Sequence, residues 1–114
     1  MTSAETHLAV YGSLAPGEKN AHVLADIPGV WCDGDVYGRL EKIGWGASAG
    51  YPGLILDRSA ARVAVKLLAS KELPLQWARL DAFEGGDYKR VATPVITSTG
   101  VIEAYIYVVE QGGS

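Results

Sequence analysis

One segment of this 114-residue chain, PLQWARLDAFE at 74–84, carries the local signs of a helix and limits what the rest can be. Pro74 suits a first turn, where a missing N–H does no harm. The Gly85-Gly86 pair supplies a stop. EKNAHVLAD, 18–26, offers a second and shorter helix, ended by Ile27-Pro28-Gly29. Everywhere else glycine and proline cut the chain into short runs of apolar and β-branched residues, which read as strands. Leu8 to Tyr11 is a buried strand ended by Gly12. VWCDGDVYGRLEKI, 30–43, reads as strands with a turn or bulge at Gly34 and Gly38. GWGASAGYPG, 44–53, is a loop. LILD, 54–57, and ARVAVKLLA, 61–69, are two further strands; Val63, Val65 and Leu67 alternate with smaller or charged residues. YKRVATPVIT, 88–97, and VIEAYIYVV, 101–109, flank Ser98-Thr99-Gly100, a hairpin signal. Pro94 marks the first of these as an edge strand or a bulge. About six short strands with one or two helices give a mixed or antiparallel α+β domain, with a curled sheet or a barrel.

The length fits one domain, 1–114, and suffices to bury a core without staples. A single cysteine, Cys32, allows no intrachain disulfide, which fits a reducing, cytoplasmic setting. The first ten residues lack the basic and apolar regions of a signal peptide. No run is long enough to span a bilayer. A net charge of −3 disfavours nucleic acid and anionic membranes as partners. The remaining expectation is a small-molecule ligand.

The loop AVYGSLAPGEKNAH, 9–22, invites a phosphate-binding reading, because Gly12 and Gly17 have the spacing of a P-loop. The chemistry opposes it. Glu18 stands where the motif needs lysine, Lys19 is one position late, and Pro16 lacks a backbone donor. Ser13 has no nucleophile-elbow frame around it. The turn still offers backbone N–H groups suited to an anion or a developing oxyanion. Two histidines, His7 and His22, and one cysteine make neither a metal site nor a Cys–His nucleophile an expected feature.

Glu84 is the most informative residue. Leu73, Trp77, Leu80 and Glu84 follow one another at spacings of four, three and four, and so share one helix face. Three are large and apolar, so that face is the core face, and the fourth is a carboxylate. Asp81 lies beside the stripe, at its wet edge. Desolvation raises a carboxyl pKa, and a raised pKa suits a group that takes and gives a proton near neutral pH. The competing reading pairs Glu84 with Lys89 or Arg90, or turns it to water at the helix end. Six tyrosines against one phenylalanine provide apolar rings with polar tips, most of them for packing.

VYGSL at 10–14, GYPGL at 50–54, LDAFEGGDYKR at 80–90 and AYIYV at 104–108 occur in that order. This pattern resembles the gamma-glutamylcyclotransferase-like family, including its short bacterial and plant members and the gamma-glutamylamine cyclotransferases, over essentially the whole chain. The resemblance implies a small β-barrel flanked by helices and an enzyme needing no metal or cofactor. It implies that Tyr11, Gly12, Ser13 and Leu14 bind the gamma-glutamyl part of a substrate. It makes Glu84 the general acid/base and Tyr88 and Tyr107 pocket residues, with Arg90 in a structural role. The implied reaction is intramolecular aminolysis of a gamma-glutamyl amide, giving 5-oxoproline and a free amine whose identity the residues do not specify. A non-catalytic ligand-binding or regulatory module on the same fold is the alternative.

Overall fold

The computed structural model describes residues 3–11, 17, 21–41, 53–85 and 88–109. The strands are β1 (His7–Val10), β2 (Val30–Glu41), β3 (Gly53–Leu56), β4 (Arg62–Ala69), β5 (Tyr88–Thr97) and β6 (Gly100–Val109). The helices are α1 (His22–Ala25) and α2 (Trp77–Glu84), with short 3-10 turns at Ser3–Thr6 and Leu73–Leu75.

The strands run in the order β3-β2-β4-β1-β6-β5, and β5 returns to β2 through the pair Asp35–Ile96. Five strands thus close a barrel, with β3 added to the far end of β2. The barrel is mixed: β1 and β6 run parallel, with Leu8 opposite Tyr105, while the other pairings are antiparallel. The Ser98-Thr99 connection leaves Thr97 opposite Gly100, the hairpin expected of STG. Pro94 sits opposite Glu103. The other side of β5 is paired with β2 only at Ile96, so the missing donor breaks no ladder there.

β2 corrects one expectation. The segment from residue 30 is a single twelve-residue strand, with no turn at Gly34 or Gly38. Both glycines are buried where a neighbour comes too close for a side chain. A Cβ on Gly34 would meet Val95 Cγ1 at 2.5 Å, and one on Gly38 would meet the Ile55 carbonyl oxygen at 2.6 Å. Gly38→Ala is therefore expected to lower stability by about 1–3 kcal/mol, because the clash is with backbone. Urea unfolding measures it, and an unchanged midpoint would show that β3 does not press on β2 here.

Side-chain alternation along the strands builds two cores. Ala9, Val36, Leu54, Val65, Leu67, Val95, Ala104, Ile106 and Val108 cluster inside the barrel. Leu8, Val10, Leu68 and Tyr107 point the other way, against Val23 and Leu24 of α1 and Trp77 and Leu80 of α2. β6 thus sends Ile106 inward and Tyr105 and Tyr107 toward α2, which sets up the site. No helix among the described residues is long and apolar enough to cross a membrane.

Candidate active site

α2 is shorter than its sequence pattern predicts. The path over Leu73–Leu75 is a 3-10 turn, and the α-helix starts only at Trp77. Pro74 has no N–H to give the Ser70 carbonyl, four residues back, so that oxygen accepts from Leu73 N instead, at 3.3 Å. The stripe survives this tightening: Leu73, Trp77, Leu80 and Glu84 are all buried. Trp77 anchors the helix, donating from Nε1 to the Glu5 carbonyl at 3.1 Å and meeting the Tyr105 ring edge-on at 5.2 Å. At the other end the Gly85 N–H closes back on the Asp81 carbonyl.

Glu84, at the last position of α2, is only 7% exposed. Burial pushes its carboxyl pKa up from 4.5 to about 7, so both protonation states are populated near neutrality. Two phenols, Tyr11 and Tyr107, feel its charge. The Tyr11 hydroxyl donates to the Tyr107 carbonyl at 2.8 Å and accepts from Leu54 N at 3.1 Å, tying the end of β1 to β6 and β3. Burial raises the Tyr11 phenol pKa far above its usual range; the Leu54 N–H opposes this, and charge on Tyr88 and Glu84 adds to it. Burial likewise raises Tyr107, helped by the hydrogen bond to Asp81 and that residue's charge, with Arg90 opposing and Glu84 adding. Both phenols are neutral donors at physiological pH. Each feels the charge of Glu84, so Tyr11, Tyr107 and Glu84 share one electrostatic neighbourhood, and Tyr88, half-buried against the helix-side core, joins it through Tyr11. Gly12, Ser13 and Leu14 lie outside the described residues.

The structure adds a group that sequence reasoning did not assemble. Tyr107 donates its hydroxyl to Asp81 Oδ1 at 2.6 Å. Arg90 grips the same carboxylate with two bonds, Nε to Oδ1 at 3.0 Å and Nη2 to Oδ2 at 3.2 Å. The Arg90 guanidinium also lies over the rings of Trp77 and Tyr105, at 4.6 and 4.5 Å from their centroids. Tyr105 in turn donates to Glu5 Oε2 at 2.8 Å. Arg90 and Asp81 are nine residues apart, with a glycine pair between them, so helical periodicity gives no hint of the pair. The signal available was the tyrosine alternation in AYIYV, which puts two phenols on one side of a strand. Among the described residues no cluster of three or more His, Cys, Asp or Glu could hold a metal ion.

The family model for "Gamma-glutamyl cyclotransferase, AIG2-like" matches residues 8–114. The chain belongs to this family. Among solved structures it resembles YkqA from Bacillus subtilis, with 26% identity and a TM-score of 0.72. That alignment covers 92% of this chain but 36% of YkqA, so the chain spans about a third of that relative's length. An AIG2-like protein from Mus musculus aligns over 96% of this chain and 80% of its own, with 22% identity and a TM-score of 0.70. The Arabidopsis thaliana protein At3g28950.1 aligns over 96% and 66%, with 24% identity and a TM-score of 0.65. The likeness to the mouse and plant proteins is one of fold. A search of the curated proteins found no match.

Proposed function

We propose that the protein is a gamma-glutamyl cyclotransferase-type enzyme that converts a gamma-glutamyl amide into 5-oxoproline and a free amine. The observation that carries this reading is the buried Glu84 carboxyl at the end of α2, whose pKa burial pushes up to about 7. Family membership supports the same chemistry.

In the proposed reaction the α-amine of the gamma-glutamyl group attacks its own side-chain carbonyl carbon. A C–N bond forms, the amide C–N bond breaks, and no water is consumed. Glu84, deprotonated, takes a proton from the α-ammonium; protonated, it returns that proton to the leaving nitrogen. One carboxyl with a pKa near the working pH serves both steps. The nucleophile is tethered to its target, so folding the substrate back supplies much of the acceleration. Tyr11, Tyr88 and Tyr107 line the substrate's side of Glu84 in this reading, and Tyr11 and Tyr107 remain neutral there. Backbone donors at Gly12–Leu14 orient the gamma-glutamyl group or meet the oxyanion.

A panel of gamma-glutamyl amides, with α-amino acid, lysine side-chain and alkylamine leaving groups, tests the proposal. At least one member is expected to yield 5-oxoproline and amine in equal amounts by mass spectrometry. The same compound acetylated on its α-amine is expected to be inert. Release of glutamate, or turnover of the blocked compound, would replace cyclisation with hydrolysis. Saturable binding with no turnover across the panel would make the protein a binding module.

A further inference from the structure

We propose that Tyr11 is a positioning residue of the candidate site: its hydroxyl ties the start of the YGSL segment to the backbone at Tyr107 and Leu54 and does not itself bond the substrate. The inference rests on the reading of Gly12–Leu14 as the substrate-binding turn. It departs from the family resemblance only in giving the Tyr11 hydroxyl no ligand of its own.

A phenol has one proton to give. In Tyr11 that proton goes to the Tyr107 carbonyl at 2.8 Å, and the oxygen accepts from Leu54 N at 3.1 Å. Both partners are backbone groups, 96 and 43 residues away along the chain. The ring packs against the cluster inside the barrel, where Leu54 is wholly buried. The side chain is thus held at its ring by the core and at its tip by main chain, with no proton left for a ligand.

Each bond sits where the sheet stops. Among the described strands β3 is paired with β2 alone. Amide directions alternate along a strand. Asp57 N donates to the Tyr37 carbonyl of β2, so the amide of Leu54, three residues earlier, faces the opposite way, off the edge of the sheet. The Tyr11 hydroxyl meets it there and does for one amide what a further strand would do. On the other side, the β1–β6 ladder ends at the pair Ala9–Ile106. The next carbonyl along β6, that of Tyr107, takes the hydroxyl proton. Tyr107 in turn bonds Asp81 on α2 through its own hydroxyl. One phenol therefore joins β1, β3 and β6 at the residue where the chain leaves β1 for Gly12, and the motifs VYGSL and GYPGL meet through it. Without it a buried amide loses its partner and the entry to Gly12–Leu14 loses its anchor. A shift of about 1 Å in a substrate-positioning segment is enough to cost about 100-fold in rate.

Two changes break the Leu54 bond from opposite ends. Tyr11→Phe removes the hydroxyl and keeps the ring. An ester in place of the Leu54 amide, introduced by chemical ligation, removes the N–H and keeps both side chains. Thermal melts give the folded fraction, and turnover of an active gamma-glutamyl amide is expressed per folded molecule. Tyr11→Phe is expected to lower kcat/KM about 10- to 100-fold. The ester alone is expected to lower it as well, and to add little in Tyr11→Phe, because both changes break one tie. Wild-type kcat/KM in the ester protein, beside a large loss in Tyr11→Phe, would mean that the hydroxyl serves the substrate directly, and would overturn the proposal. Full activity of folded Tyr11→Phe would overturn it too, leaving a tie that holds only the fold. Hydrogen exchange at the Leu54 amide of the wild type needs no variant. Protection is expected to persist with 5-oxoproline bound; exchange accelerated by that ligand would show the hydroxyl turning to it and overturn the proposal. A wild type that cyclises no amide would strike the cyclotransferase reading. The tie is then judged by binding of 5-oxoproline, which both changes are expected to weaken, and unchanged binding in both overturns it.

Discussion

Glu84→Gln is expected to reduce turnover by about 10²–10⁴ while the protein folds and binds ligand as before. Glutamine keeps the shape and the hydrogen-bonding capacity of the buried side chain but cannot move a proton. The same variant gives a stability signature with a definite sign. The folded pKa of Glu84, about 7, lies above the value of 4.5 it has when exposed. The folded state therefore holds the proton more tightly than the unfolded chain. Below about pH 4.5 the group costs nothing. As pH rises through about 7, the wild type loses stability by about 3 kcal/mol, the equivalent of roughly two and a half pH units. Glutamine does not titrate, so the variant gains on wild type across that window and the difference levels off above it. Urea titrations at several pH values, with turnover per folded molecule, measure both effects. A variant that is less stable in alkaline solution yet fully active would make Glu84 a structural ion-pair partner and not a proton carrier.

Trp77→Ala is expected to lower stability by about 3–5 kcal/mol, a large share of the 5–15 kcal/mol that holds a domain together. Three losses combine. The ring is almost wholly buried among Leu8, Leu73 and Leu80. Its N–H leaves the Glu5 carbonyl, which then lacks that donor. Arg90 loses one of the two faces that clamp it. Trp77→Phe keeps most of the packing and is expected to cost less, about 1–3 kcal/mol. Denaturant unfolding separates the two. A cost below about 1 kcal/mol for the alanine variant would mean that α2 is docked by other contacts.

The sequence was most legible where one element decides its own geometry. The spacing of Leu73, Trp77, Leu80 and Glu84 locates the buried face of α2, and with it the buried carboxyl, because helical periodicity needs no partner to be read. The STG connection and the alternation of Val63, Val65 and Leu67 are local in the same sense. Legibility fails where a distant neighbour decides. Gly34 and Gly38 read as a turn or bulge because the Val95 and Ile55 atoms that exclude a side chain lie far along the chain. Barrel closure through Asp35 and Ile96 and the parallel pairing of β1 with β6 leave no periodic trace. The 3-10 turn at Leu73 depends on which donor Pro74 removes, a detail below the resolution of a periodic pattern. Asp81 shows the limit within the site itself. Its place at the edge of the stripe is readable, but its two partners arrive from β5 and β6. The motif order of the family resemblance brought Tyr11, Glu84, Tyr88 and Tyr107 into one expectation; the structure buries Glu84 and Tyr107 and bonds the Tyr11 hydroxyl to the Tyr107 carbonyl. The expectation for Gly12, Ser13 and Leu14 falls outside the described residues.

The central claim is that a buried glutamate, half-protonated near neutrality, moves the proton. The pH dependence of kcat/KM for 5-oxoproline formation, set beside the NMR titration of Glu84 in the same wild-type protein, tests it most directly. The account predicts an acid limb of unit slope with a midpoint near 7, coinciding with the Glu84 carboxyl titration. A flat profile through that range, or a limb whose midpoint departs from that of Glu84 by a full unit, would contradict it.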